Sequence, residues 1–135
     1  MAWAMKWYDN ENTIILFTVE KNSTWNDFHD AMNRYAQELE KTPKKIDVII
    51  DDPFGLPSGS PLPHLKSQMK KLEKYENFGL IVSVSRPTTM SFLLNMIEMT
   101  SKFFGIEMKK GVMVKTMDEA IKLIEISRTQ AQINQ

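Results

Sequence analysis

Cysteine is absent from this chain of 135 residues. Disulfides, thiol nucleophiles and thiolate metal sites are thereby excluded, and the composition fits a reducing compartment. Net charge is missing too: 17 basic and 17 acidic residues cancel. No long-range field therefore draws the chain to nucleic acid or to an anionic lipid surface. Long apolar runs are also lacking. The longest weakly charged stretch, Pro87 to Ser101, carries Glu98 and falls short of the roughly 20 apolar residues that span a bilayer. The opening Met1-Ala2-Trp3-Ala4-Met5-Lys6 has no apolar core of the kind a signal peptide needs. These absences predict a soluble, cytoplasmic protein with no membrane span and no nucleic-acid partner. Long internal repeats and low-complexity linkers do not occur either.

What is present reads as one globular domain. Apolar residues make up 42% and charged residues 25%, both ordinary for a folded domain of this length. Residues 5–8 and 13–20 read as strands joined through the turn formers Asp9-Asn10-Glu11-Asn12. Ile15, Phe17 and Val19 alternate with Ile14, Leu16 and Thr18, so the second strand is apolar on both faces and belongs inside a sheet. Ser23 or Thr24 caps a helix whose apolar stripe is Trp25, Phe28, Met32, Tyr35 and Leu39. A strand at 46–51, a helix marked by Leu62, Leu65, Met69 and Leu72, and a strand at 78–85 follow. A helix over 88–104 and a strand at 112–115 come next. Thr116-Met117-Asp118-Glu119 then forms a capping box that opens the last helix. The predicted fold class is α/β in the order β-β-α-β-α-β-α-β-α, with a mostly parallel sheet and an antiparallel N-terminal edge strand. Residues 1–130 form the domain and 131–135 a frayed tail.

The stretch from Lys45 to Pro61 organises this pattern. A β-branched strand ends in Asp51-Asp52 and gives way to a loop broken by Pro53, Gly55, Pro57, Gly59 and Pro61. Parallel strands deliver their C-terminal ends to one edge, where α/β proteins place their sites. Asp51, Asp52, Ser58, Ser60, Ser85, Arg86, Thr88 and Thr116 gather there. Arg86 is the cation of the set, placed to hold a phosphate or carboxylate or to pair with Asp51 or Asp52. The ordinary role of the paired aspartates is to orient the turn through Asx hydrogen bonds, and that of the serines is turn formation or helix capping.

Three segments carry a family resemblance: Trp25-Asn26-Asp27-Phe28, Ile46-Asp47-Val48-Ile49-Ile50-Asp51, and Val114-Lys115-Thr116-Met117-Asp118-Glu119-Ala120. Together with the element order, they make residues 5–127 resemble the STAS domain, the fold of sporulation anti-sigma factor antagonists, and in particular its bacterial members of unassigned function. The resemblance implies a non-enzymatic regulatory or protein-interaction module. In antagonists of the family a serine after a strand-terminal Asp is phosphorylated, and that switches binding. Asp51 matches that Asp, and Ser58 or Ser60 is the phosphoacceptor candidate. Gly55-Leu56 keeps two residues of the family's motif but ahead of the serines.

Catalytic and metal chemistry has little to work with. His29 and His64 lie far apart in the chain without ligand-spaced partners, so no metal site is expected. The best catalytic combination is Asp51 or Asp52, Ser58 or Ser60, and His64, and it lacks an oxyanion donor. No cofactor is implied, and the protein is expected not to be an enzyme. Lys66, Lys70, Lys71 and Lys74 line one helical face and read as a solvated stripe. Ten methionines is a high count. In the helix at 88–104, Phe92, Met96, Met99 and Phe103 form a second apolar stripe beside Leu93, Ile97 and Phe104, where one stripe suffices. It reads as a wide core face, as a surface for a protein partner or a second copy of this chain, or as the wall of a pocket for a hydrophobic small molecule. Binding of a protein partner is the first functional reading. Carriage of a hydrophobic ligand is the second.

Overall fold

The β-branched run that opens the organising stretch becomes the middle strand of a five-stranded sheet, buried on both faces. The computed structural model describes residues 3–54, 61–85 and 111–133. Along the chain come β1 (Ala4–Trp7), β2 (Ile14–Thr18), α1 (Trp25–Glu40), β3 (Ile46–Asp52), α2 (Pro61–Leu72), β4 (Phe78–Ser85), β5 (Gly111–Val114) and α3 (Met117–Ile133). The strands lie in chain order. β1 runs antiparallel to β2, and every other pairing is parallel. This is the α/β architecture that the alternation of strands and helices predicts. The helix expected at 88–104 lies outside the described residues. The last helix continues to Ile133, through the first residues of the expected frayed tail.

Alternation along the strands sorts the core into two layers. Ile15, Phe17, Val19, Val48 and Ile50 face α1 and α2, where Phe28, Met32, Tyr35, Leu39 and Leu72 close over them. Ile14, Leu16, Ile49, Leu80, Val82 and Val84 face the other way and are covered by Ala120 and Ile124 of α3. Each such side chain contributes roughly 1.5–3 kcal/mol on leaving water, so two-sided burial rather than strand propensity holds the sheet together.

Local chemistry sets the ends of the elements. Thr24 caps α1: its hydroxyl accepts the Asp27 N–H at 3.3 Å, and the Asp27 carboxylate accepts the Thr24 N–H at 2.9 Å. The hydrogen bond from the Thr24 backbone holds the Asp27 carboxyl below its ordinary pKa. Ser23, the other capping candidate, instead accepts the indole N–H of buried Trp3 at 2.6 Å. In the first hairpin, Asp9 accepts the N–H groups of Thr13 and Ile14, each at 2.9 Å, and the Thr13 hydroxyl. Asn12 takes the positive φ of 58° that closes the turn.

The N-terminal edge of the parallel strands is locked by polar groups inside the core. The β3–β4 register passes from Ile46–Phe78 to Val48–Ile81, so β4 carries one extra residue, a bulge at Gly79-Leu80. Its amides are satisfied by side chains. The Gly79 N–H donates to the Tyr35 hydroxyl at 3.1 Å, and the Leu80 N–H donates to Asp47 Oδ1 at 2.7 Å. The Tyr35 hydroxyl in turn donates to the Ile46 carbonyl at 2.6 Å. Burial pushes the pKa of this hydroxyl well up, which keeps it a donor. A Cβ at Gly79 would sit 2.5 Å from the Ile46 carbonyl oxygen. Only glycine lets the two backbones approach so closely. Arg128 completes the lock from α3, with Nε and Nη2 at 2.9 and 2.8 Å from Asp47 Oδ2 and Nη2 also donating to the Thr13 carbonyl at 3.1 Å.

Candidate functional site

The opposite, C-terminal edge assembles the residues that the sequence singles out. Thr18, Asp51 and Val84 are register partners across β2, β3 and β4, and Asp52 stands opposite Ser85. Thr116 follows β5 by two residues, so it belongs to the same edge. Asp52 and Ser85 are buried there, at 6% and 1% exposure, whereas Asp51 is half-buried and Thr116 exposed. The Asp51 carbonyl accepts the Val19 N–H at 3.0 Å, extending the β2–β3 ladder beyond β2.

Asp52 takes the Asx role expected of the pair: Oδ1 accepts the Phe54 N–H at 3.0 Å. That bond fixes the turn Asp52-Pro53-Phe54. It leaves the Phe54 ring 56% exposed, a large aromatic held in water at the sheet's edge. Thr116 caps α3, accepting the Glu119 N–H at 3.1 Å. The Glu119 carboxylate reaches the Lys115 N–H at 3.4 Å rather than that of the capping residue itself.

A second cluster lies close by, because α1 and α2 both begin at this edge. His29 Nε2 and His64 Nδ1 are 2.9 Å apart, and the buried Gln68 amide contacts His29 Nδ1. Trp25 stacks on His64, with ring centroids 4.6 Å apart and planes 6° from parallel. Phe28 packs edge-on against His29 at 5.5 Å. The two histidines, distant in sequence and read as unrelated, are thus direct partners. Burial, then the His64 and Lys71 charges, depress the His29 pKa and favour the neutral ring. Among the described residues no group of three or more His, Cys, Asp or Glu side chains is arranged to hold a metal ion.

Several predicted positions fall outside the described residues: Ser58 and Ser60 in the loop, Arg86 and Thr88 after β4, and Phe92, Met96, Met99 and Phe103 of the second apolar stripe. The serines of the catalytic combination are among them, and the Nδ1 of its histidine, His64, is engaged by His29. Lys66, Lys70, Lys71 and Lys74 are exposed, as a solvated stripe should be. At the far edge a cleft of about 210 Å³ is lined by Trp7, Asn12, Glu38, Lys41 and Lys44, with Glu38 and Lys41 paired at 3.1 Å. No described helix is long and apolar enough to cross a membrane.

Sequence reasoning missed two pairings, Asp47 with Arg128 and His29 with His64. The first left a signal. Asp47 is an acid inside a buried strand, and Arg128 continues the Ala120–Ile124 stripe at i+4 on the core side of its helix. The second depends on how α1 crosses α2, which periodicity does not encode. Comparison with protein-family models, with curated proteins and with solved structures returned no match to this chain.

Proposed function

We propose that this chain is a non-enzymatic, STAS-like interaction module of the cytoplasm that binds a protein partner through the C-terminal edge of its sheet. One observation carries the reading: Asp52, itself buried, pins a turn that presents the exposed Phe54 ring at that edge. Rigid aromatic groups at low entropic cost are what protein interfaces use as anchors. The order of elements and the antiparallel first strand support the family part of the reading. In this view the loop containing Ser58 and Ser60 is the switch. A phosphate there would be repelled by Asp51 and Asp52, and that repulsion would remodel the loop ahead of α2, whose Pro61 and Pro63 offer no N–H to hold it.

Site-specific photocrosslinking tests the proposal. A benzophenone amino acid replaces Phe54 or, as a control on another face, the exposed Lys122 of α3. The expected result is a discrete protein adduct from position 54 and none from 122. A partner that is a second copy of this chain appears as a crosslinked dimer. Asp52→Ala should weaken the adduct severalfold by releasing the turn. Equal crosslinking from both positions refutes the edge as the binding surface.

A further inference from the structure

We propose that the His29–His64 pair is a pH-sensitive latch that holds α1 against α2 beside the C-terminal edge of the sheet, and that double protonation releases it. His29 is the fifth residue of α1 and His64 the fourth of α2, so the pair bridges the two helices within about two turns of where they begin. Around it the seam is apolar, built from Trp25, Phe28, Leu65, Met69 and Leu72. The imidazole contact, with Gln68 behind it, is a polar clasp in a greasy joint.

The chemistry of two facing imidazoles sets the behaviour. The 2.9 Å contact between His29 Nε2 and His64 Nδ1 is a hydrogen bond only while one of the two nitrogens carries no proton. Adding one proton to the pair leaves the bond intact, because Gln68 can turn its amide oxygen to accept from His29 Nδ1. A second proton puts an N–H on both facing nitrogens and two positive charges on adjacent rings. No hydrogen bond survives that, and the charges repel across a partly buried contact. The second proton, not the first, therefore opens the latch.

Among the described residues, the neighbouring charges that act on His29 favour the neutral ring. From α2, His64 and Lys71 face it. On its own helix the residues three and four positions away are Trp25, Asn26, Met32 and Asn33, none of them charged. At the matching positions after His64 stand Ser67 and Gln68. Strand alternation turns Asp52 to the same face of the sheet, and its Oδ1 is engaged by the Phe54 N–H. The sign follows from linkage. A ring whose pKa is lowered in the closed seam binds protons less well there than in the open one. The latch is therefore at full strength above the ordinary imidazole value of 6.5. It weakens as pH falls below that value, and levels off once the closed form's own lowered pKa has been passed.

Two measurements on the full chain test this. NMR titration of the imidazole protons should give a lower midpoint below 6.5 in the native protein. In His64→Gln the remaining His29 should titrate closer to that ordinary value. Hydrogen exchange followed by mass spectrometry, corrected for intrinsic rates, should show peptides from 24–31 and 63–72 losing protection about tenfold or more between roughly pH 7.5 and pH 5.5. Peptides from α3 should hold theirs, and His64→Gln should shrink the difference severalfold, leaving only the part due to burial of His29. The latch is refuted if both imidazoles titrate at or above the ordinary value, or if the seam loosens equally in the variant. Should the variant fail to fold, the midpoint and exchange profile of the native protein decide the matter alone.

Discussion

Replacing Arg128 with methionine isolates the polar lock at the N-terminal edge of the sheet. The substitution keeps most of the apolar stem and removes the guanidinium, stranding the Asp47 carboxylate with the Leu80 N–H at 2.7 Å as its remaining hydrogen bond among those described above. Removing one partner of a fully buried ion pair costs about 3–5 kcal/mol, because a charge is left in low dielectric without compensation. Here Asp47 is 2% exposed at its side chain but Arg128 is 35% exposed. Water can therefore follow the missing guanidinium, and the expected loss falls to about 2–4 kcal/mol.

Asparagine at position 47 provides the control. Its side-chain oxygen can still accept the Leu80 N–H, but it carries no charge to strand. In the Asp47→Asn background, Arg128→Met should therefore cost about 1 kcal/mol or less, the loss of ordinary hydrogen bonds to Thr13. The difference between backgrounds, about 1–3 kcal/mol, is the coupling energy. Urea unfolding of the four proteins with a common slope measures it. An equal loss in both backgrounds would falsify the claim that the arginine acts through Asp47. So would a loss below about 0.5 kcal/mol in the native background, which is what an ordinary surface substitution costs.

Two further substitutions probe the same edge. Gly79→Ala should lower stability by about 2 kcal/mol or more, since the 2.5 Å approach to the Ile46 carbonyl leaves no room for a methyl group. A melting temperature within about 2 °C of the parent would show that the bulge relaxes freely. Tyr35→Phe removes the hydroxyl that accepts the Gly79 N–H and donates to Ile46, at a cost of about 1–3 kcal/mol for the orphaned amide. The native hydroxyl should also give no ionisation signal in an ultraviolet titration to about pH 11, because burial raises its pKa. A normal phenolate transition at Tyr35 would contradict its buried setting.

The fold was largely legible because its signals are local. Ile14 to Val19 carries apolar residues on both faces, and it lies inside the sheet with Ile15 and Ile14 in opposite layers. Thr24 with Asp27, and Thr116 with Glu119, announce helix starts through chemistry confined to one turn. The site was legible only in place. Asp52 could be read as a turn former from the prolines and glycine that follow it, yet the exposure of Phe54 depends on how that turn leaves the sheet. His29 and His64 read as isolated because their meeting is decided by the packing of Phe28, Leu65 and Met69 between two helices. Tertiary contacts of this kind have no period in the sequence.

The two edges of the sheet divide the work between them. At the N-terminal edge, groups from four elements converge: the buried Tyr35 of α1, Asp47 of β3 and Gly79 of β4, and the partly exposed Arg128 of α3. Each satisfies another's backbone or charge, so no one of them can move without orphaning its partner. At the C-terminal edge the polar groups are engaged in short-range turns and caps, as with Asp52 and Thr116, or in a bond that one proton too many would break, as with His29 and His64. Local bonds can be remade without disturbing the core, whereas the long-range lock cannot. A binding partner or a fall in pH should therefore alter the loop edge while the Asp47–Arg128 edge keeps its hydrogen-exchange protection. Loss of protection at both edges together would mean that the sheet opens as one unit, and that the separation of a rigid edge from a working edge is wrong.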